Sequence, residues 1–138
     1  MSQSGHRQID HTADLAWALW APSEEALLAE GARAVIAELT EGATVQRRDT
    51  RQVELQCLDA GDRLVQWLNE VAALALGAGF LTADAQIELR DGGLSATVWG
   101  EADRPDAVLH EVKSVTYHDL QIERGQDGTW QAQVVVDV

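Results

Sequence analysis

The sequence predicts an α+β fold in one compact domain, residues 1–138. Two stretches carry apolar residues at helical spacing, and six or seven others have the composition of strands. Strands and helices do not alternate strictly, which argues against a parallel βαβ sheet and for separate helical and sheet layers. With 138 residues, 46% of them hydrophobic, the chain is long enough to bury one core.

The first helix is predicted from Ser23 to about residue 40. It follows a strand-like segment, LAWALW at 15–20. Ser23 is a favourable N-cap, and Glu24 and Glu25 suit the positive end of the helix dipole. An apolar face at helical spacing supports the assignment: Leu27, Leu28, Val35 and Leu39.

The second helix follows a strand predicted at 51–57, RQVELQC. Asp59 is its expected N-cap, and Asp62 occupies a position like that of a capping box. Gly77 and Gly79 are expected to end the helix. The apolar stripe is the strongest in the chain: Leu64, Trp67, Leu68, Val71 and Leu74.

The remaining sequence predicts strands. AQIEL and LSATVW flank the turn residues 91–93, which is typical of a hairpin. Residues 111–123 form a long strand candidate whose alternation slips near His118, which indicates a bulge there. The last strand begins at Trp130.

Composition limits the classes of function. Ten basic residues against 23 acidic ones give a net charge of −13, which disfavours direct binding to nucleic acid and suits a basic protein or a cation. No apolar run is long enough to span a membrane, and the N-terminus has no signal-peptide core, so the cytoplasm is the expected location. Cys57 is the single cysteine, which excludes an internal disulfide and a cysteine metal cluster.

Acidic residues at both ends of the chain are candidate metal ligands. Period-two alternation places Asp137 on the polar face of the last strand, beside the terminal carboxylate of Val138. Near the other end, Asp10, His11, Thr12 and Asp14 precede an apolar strand; they either cap their own backbone or form a site. Their oxygens suit Ca²⁺, Mg²⁺ or Mn²⁺ better than a structural zinc. The spacing does not show that residues 10–14 meet residue 137.

A third polar cluster occupies residues 113–120, KSVTYHDL. Lys113 is the only lysine in the chain. His118 and Asp119 suggest acid–base chemistry, but neighbours in a regular strand point to opposite faces, so we expect no relay between them. No nucleophile elbow, P-loop, GxGxxG or HExxH motif is present, and we predict no catalytic residue.

Five segments in order give this sequence a resemblance to the archease family. They are DHTAD at 10–14, PSEEALLAEGARAVIAEL at 22–39, WLNE at 67–70, KSVTYHDL at 113–120 and the terminal W-x-A-x-VVVDV. The family form of the fourth motif usually reads K-A-x-T-Y-H-D, and Ser114 replaces the alanine. The segment EADRPDAV at 101–108 is shorter than in some relatives. The resemblance covers essentially the whole chain.

The resemblance implies a fold with helices layered between sheets. It also implies a function that the amino-acid composition alone does not predict. Archeases are accessory proteins of a tRNA-splicing RNA ligase that uses GTP and manganese to join RNA ends bearing a 2′,3′-cyclic or 3′-phosphate to 5′-hydroxyl ends. They accelerate guanylylation of the ligase and allow multiple turnovers. The family metal site, for which the resemblance implies Ca²⁺, falls on Asp14, Asp137 and Val138. The family lysine implicated in activation falls on Lys113, and we expect His118, Asp10 and His11 to take part in partner contact.

Two other functions are compatible with these residues. A stand-alone metal-dependent hydrolase would use Asp14, Asp137 and His118, but it lacks an obvious general base with an orienting partner. A chaperone-like partner of RNA-modifying enzymes would suppress aggregation without needing Asp137. Our expectation is a non-catalytic activator that docks on the ligase, without direct contact to nucleic acid or membrane.

Overall fold

The computed structural model describes residues 3–11 and 14–138, apart from the side chains of His11 and Asp14. A short 3-10 helix lies at Pro105–Ala107. In chain order the other elements are β1 (Gly5–His11), β2 (Asp14–Ala21), α1 (Glu24–Thr40), β3 (Asp49–Gln56), α2 (Ala60–Leu76), β4 (Phe80–Arg90), β5 (Gly93–Ala102), β6 (Ser114–Arg124) and β7 (Trp130–Asp137).

Two antiparallel sheets enclose the pair of helices. The four-stranded sheet has the order β1-β2-β7-β6, and the three-stranded sheet has the order β3-β5-β4. Helix α1 packs against β2 of the first sheet and β4 of the second, and α2 packs against β6 and β4. The predicted α+β class, with two helices layered between sheets, is confirmed.

Both helices begin where the sequence predicts them. The Ser23 hydroxyl accepts the Ala26 N–H at 3.1 Å, and the Asp59 carboxylate accepts the Asp62 N–H at 2.8 Å. These side chains satisfy backbone donors that the first turn leaves without intrahelical partners. Helix α2 is followed by Gly77, as predicted. Neither helix is long and apolar enough to cross a membrane.

The helices are held together by a core that extends across the whole layer. The Trp67 side chain is fully buried, and its indole N–H donates to the Leu28 carbonyl at 2.7 Å. A Cβ atom added at Gly31 would lie 2.6 Å from a Leu68 methyl carbon. The glycine therefore allows α2 to approach α1 closely.

Buried acids in the helical layer are paired with basic side chains. The Arg63 guanidinium donates two hydrogen bonds to Glu24, at 2.7 and 3.2 Å, and so ties together the N-terminal ends of the two helices. Glu30 accepts from the His6 ring and, at 3.1 Å, from Arg33. Burial of a carboxylate is costly unless it is paired, so these contacts offset the cost.

The sequence did not predict β1. This edge strand carries Arg7, Gln8 and Asp10 among its seven residues, and its outer edge faces solvent. An edge strand that buries little has a weak alternation signal. The strand predicted at 111–123 begins later, at Ser114.

Candidate metal and partner site at one end of the four-stranded sheet

The two central strands of the four-stranded sheet bring both ends of the chain to one place. Strands β2 and β7 pair antiparallel, with Leu15 opposite Val136. Asp14 precedes this pair on β2, and Asp137 follows it on β7. The backbones of the two aspartates therefore lie at the same end of adjacent strands, which the sequence alone could not establish.

The two outer strands complete this end of the sheet. On one side His11 of β1 pairs with Asp14. On the other side Ser114 of β6 pairs with Asp137, and the Lys113 N–H donates to the Asp137 carbonyl at 2.8 Å. We call the following residues the sheet-end site: Asp10, His11, Asp14, Lys113, Ser114, Asp137 and Val138. Polar residues from all three predicted clusters contribute to it.

The sheet-end site carries solvent-accessible charge. Asp137 is exposed, and Val138 is 53% exposed. Among the described residues no basic side chain forms an ion pair with Asp137, although Lys113 is exposed and hydrogen-bonded to it through the backbone. Asp10 is also exposed and pairs with Leu15, one step further along β1. Carboxylates at this end are thus open to an external cation.

The donor types at the sheet-end site fit a hard divalent ion. Asp14, Asp137 and the backbone oxygens of Val138 are all oxygen donors, the kind that Ca²⁺ and Mg²⁺ prefer. The side chains that the structure describes contain no group of three His, Cys, Asp or Glu residues able to hold a metal. A site here therefore depends on Asp14, whose side chain lies outside the described part.

The predicted bulge in β6 is confirmed and changes how His118 and Asp119 relate. From Thr116 to Gln121, β6 advances five residues while β7 advances two, from Val135 to Gln133. Asp119 takes a left-handed conformation, φ 51°. The expectation that the two side chains point apart is wrong: His118 Nε2 lies 3.4 Å from an Asp119 carboxylate oxygen. The bulge removes the alternation on which that expectation rested.

The side chains of the His118–Asp119 pair are open to solvent. The side chains are 66% and 53% exposed. Solvent weakens the electrostatic interactions between exposed charges. An exposed pair of this kind is accessible to a partner.

Two contacts that the sequence did not predict fix β6 beside α2. The Asn69 side chain both donates to the Val115 carbonyl, at 3.0 Å, and accepts the Val115 N–H, at 2.7 Å. It thereby covers part of an edge strand that would otherwise expose its backbone groups. Asn69 and Val115 are 46 residues apart, so no local pattern pointed to this contact.

The second contact joins the bulge to the start of α2. The Tyr117 hydroxyl donates to Asp62 at 2.5 Å, which raises the pKa of Tyr117 to about 12. The same bond, together with those from the Leu58 N–H and the Gln66 amide, lowers the pKa of Asp62 below its usual value. Tyr117 thus stays a donor and Asp62 a charged acceptor over the physiological pH range.

These features define an α+β domain with helices between two antiparallel sheets and a polar site at one sheet end. The family model of the archease protein family matches residues 6–138, and the chain belongs to this family. It is 34% identical to protein archease of Methanopyrus kandleri over 95% of this chain and 97% of the relative. It is 31% identical to protein archease of Pyrococcus abyssi, with 94% and 95% covered.

Solved structures of the family share the fold. The solution structure of protein 1598 of Methanobacterium thermoautotrophicum superposes with a TM-score of 0.72 at 25% identity, covering 97% of this chain and 99% of the other. The crystal structure of an archease from Thermotoga maritima, named as a possible chaperone, gives 0.61 at 24% identity, with 96% of each chain covered.

Proposed function

We propose that this archease is a non-catalytic, metal-binding activator of a GTP- and manganese-dependent RNA ligase that joins 3′-phosphate and 5′-hydroxyl ends. It acts in the cytoplasm, in tRNA splicing or RNA repair, by promoting guanylylation and repeated turnover of the ligase. The observation that carries the proposal is the strand register that brings the backbones of Asp14 and Asp137 to one sheet end, where the Lys113 N–H donates to the Asp137 carbonyl. Family membership supports the same role.

In this proposal Asp14, Asp137 and Val138 hold a divalent ion, Ca²⁺ in the first place and Mg²⁺ or Mn²⁺ as alternatives. A bound ion would supply positive charge that offsets repulsion between neighbouring carboxylates. Lys113 presents its ammonium beside this ion to the ligase or to the nucleotide. Asp10 and His11 lie at the same end on β1, His118 lies in the bulge of β6, and all three contact the partner.

The charge of the chain supports a protein partner. A net charge of −13 opposes contact with RNA phosphates and attracts a basic protein surface. An acidic protein that carries a divalent ion at one end can approach a nucleotide site without competing for the RNA. These charges are the electrostatic reason to expect binding to the ligase and not to its RNA.

The two other functions receive less support. A chaperone that holds unfolded chains needs broad apolar surface, whereas in residues 3–11 and 14–138 only five large apolar side chains are exposed: Leu58, Leu76, Leu109, Tyr117 and Val138. A hydrolase needs an activated base, and His118 and Asp119 are both more than half exposed. The archease of Thermotoga maritima is named as a possible chaperone, so a chaperone role is the second outcome that the test considers.

The test is multiple-turnover ligation by the cognate RNA ligase with substoichiometric archease. We expect wild type to increase the number of turnovers, and Asp137→Asn and Asp14→Asn each to abolish most of the increase. The matched control is Asp49→Asn, because Asp49 is an exposed aspartate at a strand end of the other sheet. Equal activation by all four proteins would overturn the assignment of the sheet-end site. No activation by wild type would overturn the function and direct attention to aggregation assays.

A further inference from the structure

Two residues with exposed apolar side chains, Leu58 and Tyr117, are linked through Asp62 at the start of α2. Leu58 is 93% exposed, the largest fraction among the exposed large apolar residues of the described chain, and Tyr117 is 57% exposed. Asp62 joins them: one carboxylate oxygen accepts the Leu58 N–H at 2.9 Å, and the other accepts the Tyr117 hydroxyl at 2.5 Å. We call Leu58, Asp62 and Tyr117 the leucine–tyrosine patch.

The Tyr117 side chain and the Leu58 backbone are held in place before any partner arrives. Asp62 also accepts from the Gln66 amide at 2.8 Å, so three donors fix its carboxylate. Tyr117 is in turn fixed by Asp62 and by the bulge of β6 that carries it. An aromatic side chain ordered in advance loses little conformational entropy on binding, which is a property of interface hot spots.

Negative charge surrounds the patch. Asp59 caps α2 next to Leu58, and Asp119 lies two residues after Tyr117 in the bulge, with 53% of its side chain exposed and a carboxylate oxygen 3.4 Å from His118 Nε2. Glu123 lies in an adjoining shallow groove between the start of α2 and β6. The nearest cation in the sequence, Arg63, donates both of its described bonds to Glu24 and is only 16% exposed.

The patch lies close to the sheet-end site. Ser114 pairs with Asp137, and Tyr117 is three residues further along β6. Since a residue adds at most about 3.3 Å along a strand, the backbone of Tyr117 lies no more than about 10 Å from that of Ser114 in the sheet-end site. A protein that covers one of these surfaces can reach the other.

We propose that the leucine–tyrosine patch is a docking surface for a protein that presents an apolar pocket ringed by lysine and arginine. The apolar pair would fill the pocket, and the surrounding carboxylates would face the basic ring. A second copy of this chain does not fit, because each copy carries a net charge of −13. Nucleic acid is disfavoured for the same reason. The inference rests on the proposed function, in which the partner is the RNA ligase.

The test separates docking from activation. Leu58→Ser should raise the archease concentration that gives half-maximal ligase activation about tenfold, as expected for a hot spot, and leave maximal activation and divalent-ion binding unchanged. Because Leu58 is almost fully exposed, the substitution should not change stability. Leu76→Ser, at the opposite end of α2 and 41% exposed, is the control and should shift the concentration less than about twofold.

Ionic strength and a second variant sharpen the result. The half-maximal concentration for wild type should rise with salt, because the carboxylates attract the basic ring. Tyr117→Phe keeps the ring but loses the bond to Asp62, and it should give an intermediate shift. An unchanged half-maximal concentration for Leu58→Ser, with normal wild-type activation, would overturn the docking surface alone. Absence of activation by wild type would overturn the proposed function, and this docking assignment with it.

Discussion

The two sheets cover the same pair of helices, yet their charged ends are built differently. In the three-stranded sheet, Glu101 near the end of β5 accepts the Gln46 N–H at 2.9 Å and the Arg104 guanidinium at 2.8 Å. In the four-stranded sheet, Asp137 at the end of β7 forms no ion pair within the described part of the chain. An acid neutralised inside the fold stabilises it, whereas an acid without such a partner can bind an external cation.

The largest expected effect is on the three-stranded sheet. A Cβ at Gly100 would lie 1.9 Å from the Leu81 carbonyl oxygen, so Gly100→Ala must push two strands apart. We expect a loss of about 3 kcal/mol in the free energy of unfolding, measured by urea denaturation. Gly125→Ala, in the turn between β6 and β7, would place its Cβ 3.1 Å from an Asp127 carboxylate oxygen and 3.4 Å from the Thr129 carbonyl oxygen, and it should cost less than about 1 kcal/mol. Equal costs would contradict the difference in packing.

A smaller loss is expected where α2 covers β6. Asn69→Ala removes both bonds to Val115 and leaves a part-buried N–H and C=O without them. The free energy of unfolding should fall by about 2 kcal/mol. Glu70→Ala, at the next position of the same helix, is the control and should stay within about 0.5 kcal/mol of wild type. A cost for Asn69→Ala as small as that of the control would show that the contact does not hold the edge strand.

The bond between Tyr117 and Asp62 predicts a pH effect with a definite sign. The pKa of Tyr117 is raised from 10.0 to about 12 in the folded chain. Stability from this bond is therefore present below pH 10 and is lost as the pH rises toward 12. Tyr117 is the only tyrosine, so tyrosinate absorbance near 295 nm reports it alone. In Asp62→Asn the pKa should return toward 10, and an unchanged titration would contradict the bond.

The smallest effect on stability is expected at the sheet-end site. Asp137→Asn removes an exposed charge that has no described ion-pair partner. Its free energy of unfolding should stay within about 0.5 kcal/mol of wild type, while ligase activation is lost. A large loss of stability would show that Asp137 stabilises the fold. It would contradict the proposed difference between the charged ends of the two sheets.

Local signals in the sequence predicted the helices and the bulge. The Ser23 and Asp59 caps and the apolar stripe of α2 act within a few residues, so they can be read from the chain. The slip in alternation near His118 has the same local character. Strand β1 was not predicted, because few of its residues are apolar and its pairing partner supplies much of its stability.

The candidate site could be predicted only in part. The carboxylates in its sequence predicted a metal site. The pairing of β2 with β7 joins residues 15 and 136, and sequence patterns that span a few residues cannot predict such a distant pairing. The contact between Tyr117 and Asp62 spans 55 positions and was missed for the same reason. His118 and Asp119 were misjudged because the rule of alternation was applied across a bulge.

The most direct test of the sheet-end site is calorimetric titration of Ca²⁺, and then Mg²⁺ and Mn²⁺, into wild type, Asp137→Asn and Asp49→Asn. Wild type and Asp49→Asn should bind one ion with equal affinity, and Asp137→Asn should bind at least about tenfold more weakly, because it loses a charged oxygen ligand. Equal affinity in all three proteins, or no binding by wild type, would contradict the account.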